Sequence, residues 1–149
     1  MGNSGLFKKF SEGTIVEAVI DFFTKNNTAV AIKEVQLFEK FIDIYIYDRN
    51  SQKYIAVEAK VKSPTRAFIQ ASKYEHVAEY VYVAILKNSS NKKAIDLSQK
   101  TGIGLMFVEK NEKNDVINVE VAIKPKKSKY FKEKLAKNIW GSVPCGQEN

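Results

Sequence analysis

The amino-acid sequence predicts an α/β fold, a mixed β-sheet flanked by helices. Three observations lead there. Ile15, Val16, Val19, Ile20, Phe22 and Phe23 form a broad stripe at helical spacing near the start. Three strand-like runs then follow in succession, separated by short polar stretches. After them helical and strand-like segments alternate, so the order is α-β-β-β-α-β-α-β-β-α. Consecutive strands pair antiparallel, and a strand reached across a helix pairs parallel, so the sheet is mixed.

Each element has its own warrant. Ser11 to Lys25 carries the helical stripe, and Asn26-Asn27 ends it. Ala29 to Phe38 is the first strand, and Phe41 to Asp48 the second, with strong β-formers at nearly every position. Arg49 to Gln52 is a polar turn, and Lys53 to Val61 the third strand. Ser63-Pro64 has the form of a helix cap followed by Pro at the first helical position, so a helix is expected to about Glu79. Tyr80 to Leu86 is an apolar strand, and Lys92 to Lys100 a short helix stopped by Gly102. Ile103 to Glu109 and Val116 to Ile123 are strands joined by a polar turn, and a last helix is expected from about Ser128 to Asn138.

Composition narrows the function classes. The chain has 149 residues, 44% apolar and 28% charged, a globular composition long enough to form a core without staples. No apolar run approaches a membrane span, and the first residues lack the apolar stretch of a signal peptide, so a cytoplasmic protein with no membrane partner is expected. One Cys (Cys145, expected in a loose tail) and one His (His76) exclude a disulfide framework, a zinc finger and any site needing two imidazoles. The net charge is +7 and uneven: residues 124–149 hold 7 Lys against 2 Glu. We therefore divide the chain into an α/β domain, 1–123, and a basic C-terminal tail or helix, 124–149. Lys126, Lys127 and Lys129, interleaved with Tyr130 and Phe131, suit a polyanion; a solvated tail or an anionic membrane surface accounts for them as well.

The second and third strands carry the chemistry. Side chains alternate across a strand, which puts Ile42, Ile44 and Ile46 on one face and Asp43, Tyr45 and Tyr47 on the other. Ile55, Val57, Ala59 and Val61 form the matching apolar row, leaving Glu58 and Lys60 beside Asp43. Pairing Asp48 with Lys53 sets Asp43 directly opposite Glu58, with Cβ atoms about 4.5–5.5 Å apart. A slip of one residue would break the apolar rows. Two opposed carboxylates repel; a hard divalent cation makes them favourable. A solvated hairpin face with scattered charges is the alternative.

At these residues the sequence resembles the PD-(D/E)xK nuclease superfamily, with its restriction-endonuclease-like fold and αβββαβ core. The hallmark residues are Asp43 and Glu58-Ala59-Lys60, with fourteen residues between the two acids and Ile42 in place of the motif's Pro. The surroundings agree: Glu17 on the first helix, Gln70 and Tyr74 as Gln-x-x-x-Tyr on the helix after Lys60, then the strand from Tyr80. The resemblance covers roughly residues 11–109. It implies a DNA endonuclease dependent on Mg²⁺ or Mn²⁺, in which Asp43, Glu58, the Ala59 carbonyl and Glu17 hold the metal, with Glu12 competing for the role of Glu17. It implies Lys60 and Gln70 as catalytic residues, and small members of the family often form homodimers. Lys62, Arg66 and Tyr74, with the tail lysines, are candidate nucleic-acid contacts. The absence of a visible specificity domain points to structure-directed or nonspecific cutting. A non-cutting nucleic-acid-binding module of the same fold, and a Tyr-rich partner-binding domain, are the rivals.

Overall fold

The computed structural model describes residues 9–142. Its elements are α1 (Glu12–Thr24), β1 (Ala29–Leu37), β2 (Lys40–Asp48), β3 (Lys53–Lys60), α2 (Pro64–Ser72), β4 (Tyr80–Leu86), α3 (Lys92–Thr101), β5 (Gly104–Lys110), β6 (Val116–Ile123) and α4 (Glu133–Gly141). The six strands form one sheet in sequence order. β1, β2 and β3 pair antiparallel, β3, β4 and β5 pair parallel across α2 and α3, and β6 returns antiparallel on β5. The expected α/β class and mixed sheet are present. Among the described residues, no helix is long and apolar enough to cross a membrane.

Both faces of the sheet are covered. Ile15 and Val19 of α1 pack on Ile44, Ile46, Ile55, Val57 and Ala59. On the other face Ala67, Phe68 and Ala71 of α2, Ala94 of α3 and Ala136 of α4 pack on Tyr45, Tyr54, Ala56 and Val83. Each large aliphatic side chain fully buried here contributes about 1.5–3 kcal/mol by leaving water. The sequence therefore has no solvated hairpin face: Tyr45 is as buried as Ile44.

The β2–β3 register agrees with expectation, from Asp48 opposite Lys53 to Ile44 opposite Val57, where the ladder ends. One expectation fails. Ile42 packs with the α2 side, opposite to Ile44 and Ile46. β1 changes face at the same level, with Ala29 and Ala31 against α1 but Val35 and Leu37 on the α2 side. Between them Glu34 has φ of 55°, a left-handed residue in mid-strand. The paired strands thus swap faces at Glu34 and Asp43, and strict alternation stops there.

One helix cap and two helix boundaries also differ. α1 begins as expected, with Ser11 Oγ accepting from the Thr14 amide and Thr14 Oγ1 accepting from the Ser11 amide. Ser63 has φ of 62° and makes no side-chain cap, so Pro64 alone marks the start of α2. α2 ends at Ser72 and tightens into a 3₁₀ turn, Lys73–His76, which sets Tyr74 and Val77 inward. The last helix starts at Glu133 because residues before it run as an extended strap. Lys126, Ser128 and Lys132 donate their amides to the carbonyls of Gly102, Glu79 and His76. A Cβ on Gly104 would lie 2.8 Å from Pro125 and 2.9 Å from Tyr82, so the strap passes where only glycine fits. The described part of the basic segment is thus bound along the sheet, and Cys145 lies outside the described residues.

Candidate functional site

The acid pair sits where β2 and β3 part. Beyond Ile44 and Val57 the ladder gives out, and the Ala59 amide donates instead to Asp43 Oδ2 at 2.8 Å. A side chain replaces a backbone acceptor, as a buried N–H requires. The N–H and C=O of a strand residue point the same way, so the Ala59 carbonyl also faces this gap. Glu58 is 6% exposed and accepts a 2.5 Å hydrogen bond from the Tyr74 hydroxyl. The same hydroxyl lies 3.1 Å from the Phe41 carbonyl. The carboxyl groups of Asp43 and Glu58 lie within hydrogen-bonding reach of each other.

Burial pushes the Glu58 carboxyl up to about 7; the Tyr74 hydroxyl pulls the other way, and the Asp43 charge adds to the rise. Burial raises Asp43 too, opposed by the Ala59 amide. This is an oxygen-only donor set with two carboxyls and a carbonyl in one gap, and it fits a hard divalent cation. Among the described residues, no group of three Asp, Glu, His or Cys side chains converges as a metal site.

The first helix supplies two acids. Glu12 lies 3.6 Å from Lys60 Nζ and its charge reaches Asp43. Glu17 is held by Lys33 at 2.7 Å. Both line a cleft of about 270 Å³ with Asp43 and Glu34. Glu12 is therefore the helix acid nearer the lysine, whereas Glu17 already has a counterion. Lys60, Lys62 and Arg66 line an adjoining groove of about 450 Å³ with Lys9 and Glu12. The expected phosphate contacts at Lys62 and Arg66 thus lie beside Lys60.

Other expected residues fall elsewhere. Tyr74 is fully buried, so it holds Glu58 and does not face a nucleic acid. Gln70 is half-buried, within reach of the Tyr74 hydroxyl and 3.5 Å from Lys40. It borders the pair through Tyr74 and does not touch either acid in the hydrogen bonds of this structure. Lys126, Lys127 and Lys129 lie with the strap at the N-terminal ends of β4 and β5. Parallel pairing runs from Ile55–Tyr80 there to Glu58–Val83 at the acid pair, about 10 Å at 3.3 Å per residue. The tail lysines do not join the site. Sequence reasoning missed Lys33 and Glu34 in the cleft and the Phe41 carbonyl; no local pattern marks them, because a backbone reversal brings them in.

No protein-family model matches the chain, and no curated protein matches it. Two solved structures resemble it. The SPO1766 protein of unknown function from Silicibacter pomeroyi superposes with a TM-score of 0.58 at 12% identity, covering 89% of this chain and 83% of that one. Pyrococcus furiosus SfsA, solved in complex with Ca²⁺, gives 0.42 at 13% identity, covering 77% and 63%. The first likeness establishes a shared fold, and the second is too loose to establish even that.

Proposed function

We propose that the chain is a divalent-metal-dependent DNA endonuclease with a restriction-endonuclease-like fold, structure-directed or nonspecific in its cutting. The observation that carries this reading is the pair of carboxyls, half-buried Asp43 and buried Glu58, meeting with no ion pair to either among the described residues where β2 and β3 separate, with Lys60 one residue beyond the Ala59 amide. Asp43, Glu58 and the Ala59 carbonyl would hold Mg²⁺ or Mn²⁺. Bound there, the ion lowers the pKa of a water and polarises a phosphoryl oxygen.

The chain's own groups do the rest. The Ala59 amide fixes the Asp43 carboxyl, and the Tyr74 hydroxyl fixes Glu58, so neither rotates away. Lys60 offers its ammonium to an attacking water or to charge on the pentacovalent phosphorus. Lys62 and Arg66 hold the flanking phosphates without reading sequence. Glu12 keeps Lys60 on this side of the gap.

The test is a cleavage panel over junction, flap, single-stranded and plain duplex DNA, with and without Mg²⁺ or Mn²⁺. Metal-dependent cutting of at least one substrate is expected, with loss in Asp43→Asn and Lys60→Ala while a melting curve shows that both still fold. Full activity in either variant removes the reading. A second reading, a nucleic-acid-binding module that does not cut, is favoured by one observation: no third acid converges on the pair among the described residues. DNA binding with no cutting on any substrate or metal would select it.

A further inference from the structure

We infer that the tip of the β1–β2 hairpin is a stacking platform for unpaired bases, so that the nucleic acid this site takes carries a single-stranded segment beside the phosphate at the acid pair. The inference rests on the nuclease reading and deepens it by naming the substrate class. Leu37 pairs with Lys40, so the tip is a two-residue loop, Phe38-Glu39. Phe38 has φ of 57°, a conformation for which such loops ordinarily use glycine, and its ring is 78% exposed. Phe41 is 54% exposed. On α2, whose Gln70 meets Lys40, the neighbouring Ile69 is 56% exposed. Among the described residues, three of the five exposed large apolar side chains thus fall on this hairpin tip and the helix it meets.

Three further observations say what covers them. The tip is tied to the site, since the Phe41 carbonyl accepts from the Tyr74 hydroxyl that also holds Glu58. Its charge is complementary to a phosphate backbone: Lys40 and Lys73 lie within hydrogen-bonding reach of each other, and Lys60, Lys62 and Arg66 line the groove beyond the acid pair. Glu39, exposed, is the acid of the loop itself. A duplex hides its base faces. A single strand offers both flat apolar rings and charged phosphates, which is the combination that exposed aromatics with flanking lysines accept.

The test measures binding without divalent cation, by fluorescence anisotropy, for a short oligo-dT, an oligo-U of equal length and the matching blunt DNA duplex. Oligo-dT is expected to bind at least tenfold tighter than duplex; equal binding of oligo-U would place the same stacking surface on RNA and overturn the DNA assignment. Phe38→Ala with Phe41→Ala is expected to weaken oligo-dT by about tenfold or more, the effect of losing aromatic stacking, with duplex affinity unchanged. Phe38→Trp should keep the affinity and report stacking through quenched tryptophan emission. Both rings lie on the surface, and a melting curve shows that the variants fold. Unchanged oligo-dT binding in the double variant overturns the inference. If Mg²⁺-dependent duplex cutting persists while single strands are neither preferred nor sensitive to Phe38 and Phe41, the inference fails and the nuclease reading stands. If no DNA is bound or cut at all, both fall.

Discussion

Two buried glutamates, one in the sheet and one just before β4, each 6% exposed, have opposite surroundings. Glu79, at the N-terminal end of β4, is fully compensated: Lys53 lies 3.2 Å away, Lys127 3.9 Å, and the Tyr54 amide donates to it at 3.2 Å. Glu58, at the far end of β3, has a phenol hydroxyl and a second carboxyl as its nearest partners. A carboxylate taken from water needs an ion or several donors to repay its hydration. Glu79 has them from the fold and joins the strap to the sheet. Glu58 has only one hydroxyl and the charge of Lys60 to set against burial and the charge of Asp43, a poorer compensation than a fold under selection for stability alone would retain.

The sharpest way to break this contrast is to exchange roles in an activity assay. Asp43→Asn keeps the shape of the gap but removes one charge, and is expected to lower metal-dependent cleavage by about 10²–10³-fold or more. Glu79→Gln should leave turnover within about twofold, since Glu79 lies with the strap at the other ends of the strands. Equal loss in both variants would show that the two ends are not functionally distinct.

Stability should respond the other way round. Glu79→Ala leaves the buried Tyr54 amide without its acceptor and two lysines without a counterion, which is expected to cost about 2–3 kcal/mol in urea unfolding. Glu58→Gln keeps the acceptor for Tyr74 but removes an ionisable group whose folded pKa is raised to about 7 from 4.5. A raised carboxyl pKa favours the folded state fully below the unfolded value, and that contribution is lost as pH rises through the folded value. Glu58→Gln is therefore expected to be more stable than the parent by about 3 kcal/mol at pH 8, the gap closing towards pH 4. An equal cost for both substitutions at pH 8 would remove the contrast.

A cation should do by binding what that substitution does by deletion. At saturating Mg²⁺ or Mn²⁺ and pH 8, the melting temperature should rise, by about 2.7 kcal/mol of stability at a hundredfold excess over Kd. At pH 5 protons compete for Glu58 and the rise should shrink. Asp43→Asn should abolish it, and Glu79→Gln should leave it intact.

Much of this contrast was legible before the structure. The register of β2 on β3 follows from two apolar rows, because a one-residue slip would invert them. That register, together with the Glu-x-Lys spacing, brings Asp43 and Glu58 together. What alternation could not show is the reversal at Glu34 and Asp43, because a left-handed φ in a non-glycine residue leaves no pattern in hydrophobicity. It sends Ile42 to the other core and gives Asp43 the Ala59 amide. Helical spacing puts Tyr74 with Gln70 on the helix face that packs on the sheet, and Tyr74 is buried there, although it sits in the 3₁₀ turn that follows α2. Charge counting carries no position, so it joins Lys126, Lys127 and Lys129 into one basic tail, whereas the strap's backbone bonds hold them at the wrong end of the strands for the acid pair.

The smallest effect tests the one group that links Glu58 to its surroundings. Tyr74→Phe keeps the buried ring and deletes only the hydroxyl, which serves both the Phe41 carbonyl and Glu58. Loss of a hydrogen bond of this kind is expected to cost about 1 kcal/mol. The direction of the second change is more informative than the size of the first. The hydroxyl bonds to Glu58 and pulls its pKa down against burial, so removing it should raise that pKa further above 7. Because a raised folded value carries stability at low pH and loses it as pH rises through that value, the decline with pH should end at a higher pH in Tyr74→Phe. Melting temperatures from pH 4 to 9, compared with Glu58→Gln and with the double variant, read this directly: the displacement should disappear once Glu58 is gone. A displacement that persists in the double variant would mean that Tyr74 acts on some other group, and that Glu58 is not the titrating member of the pair.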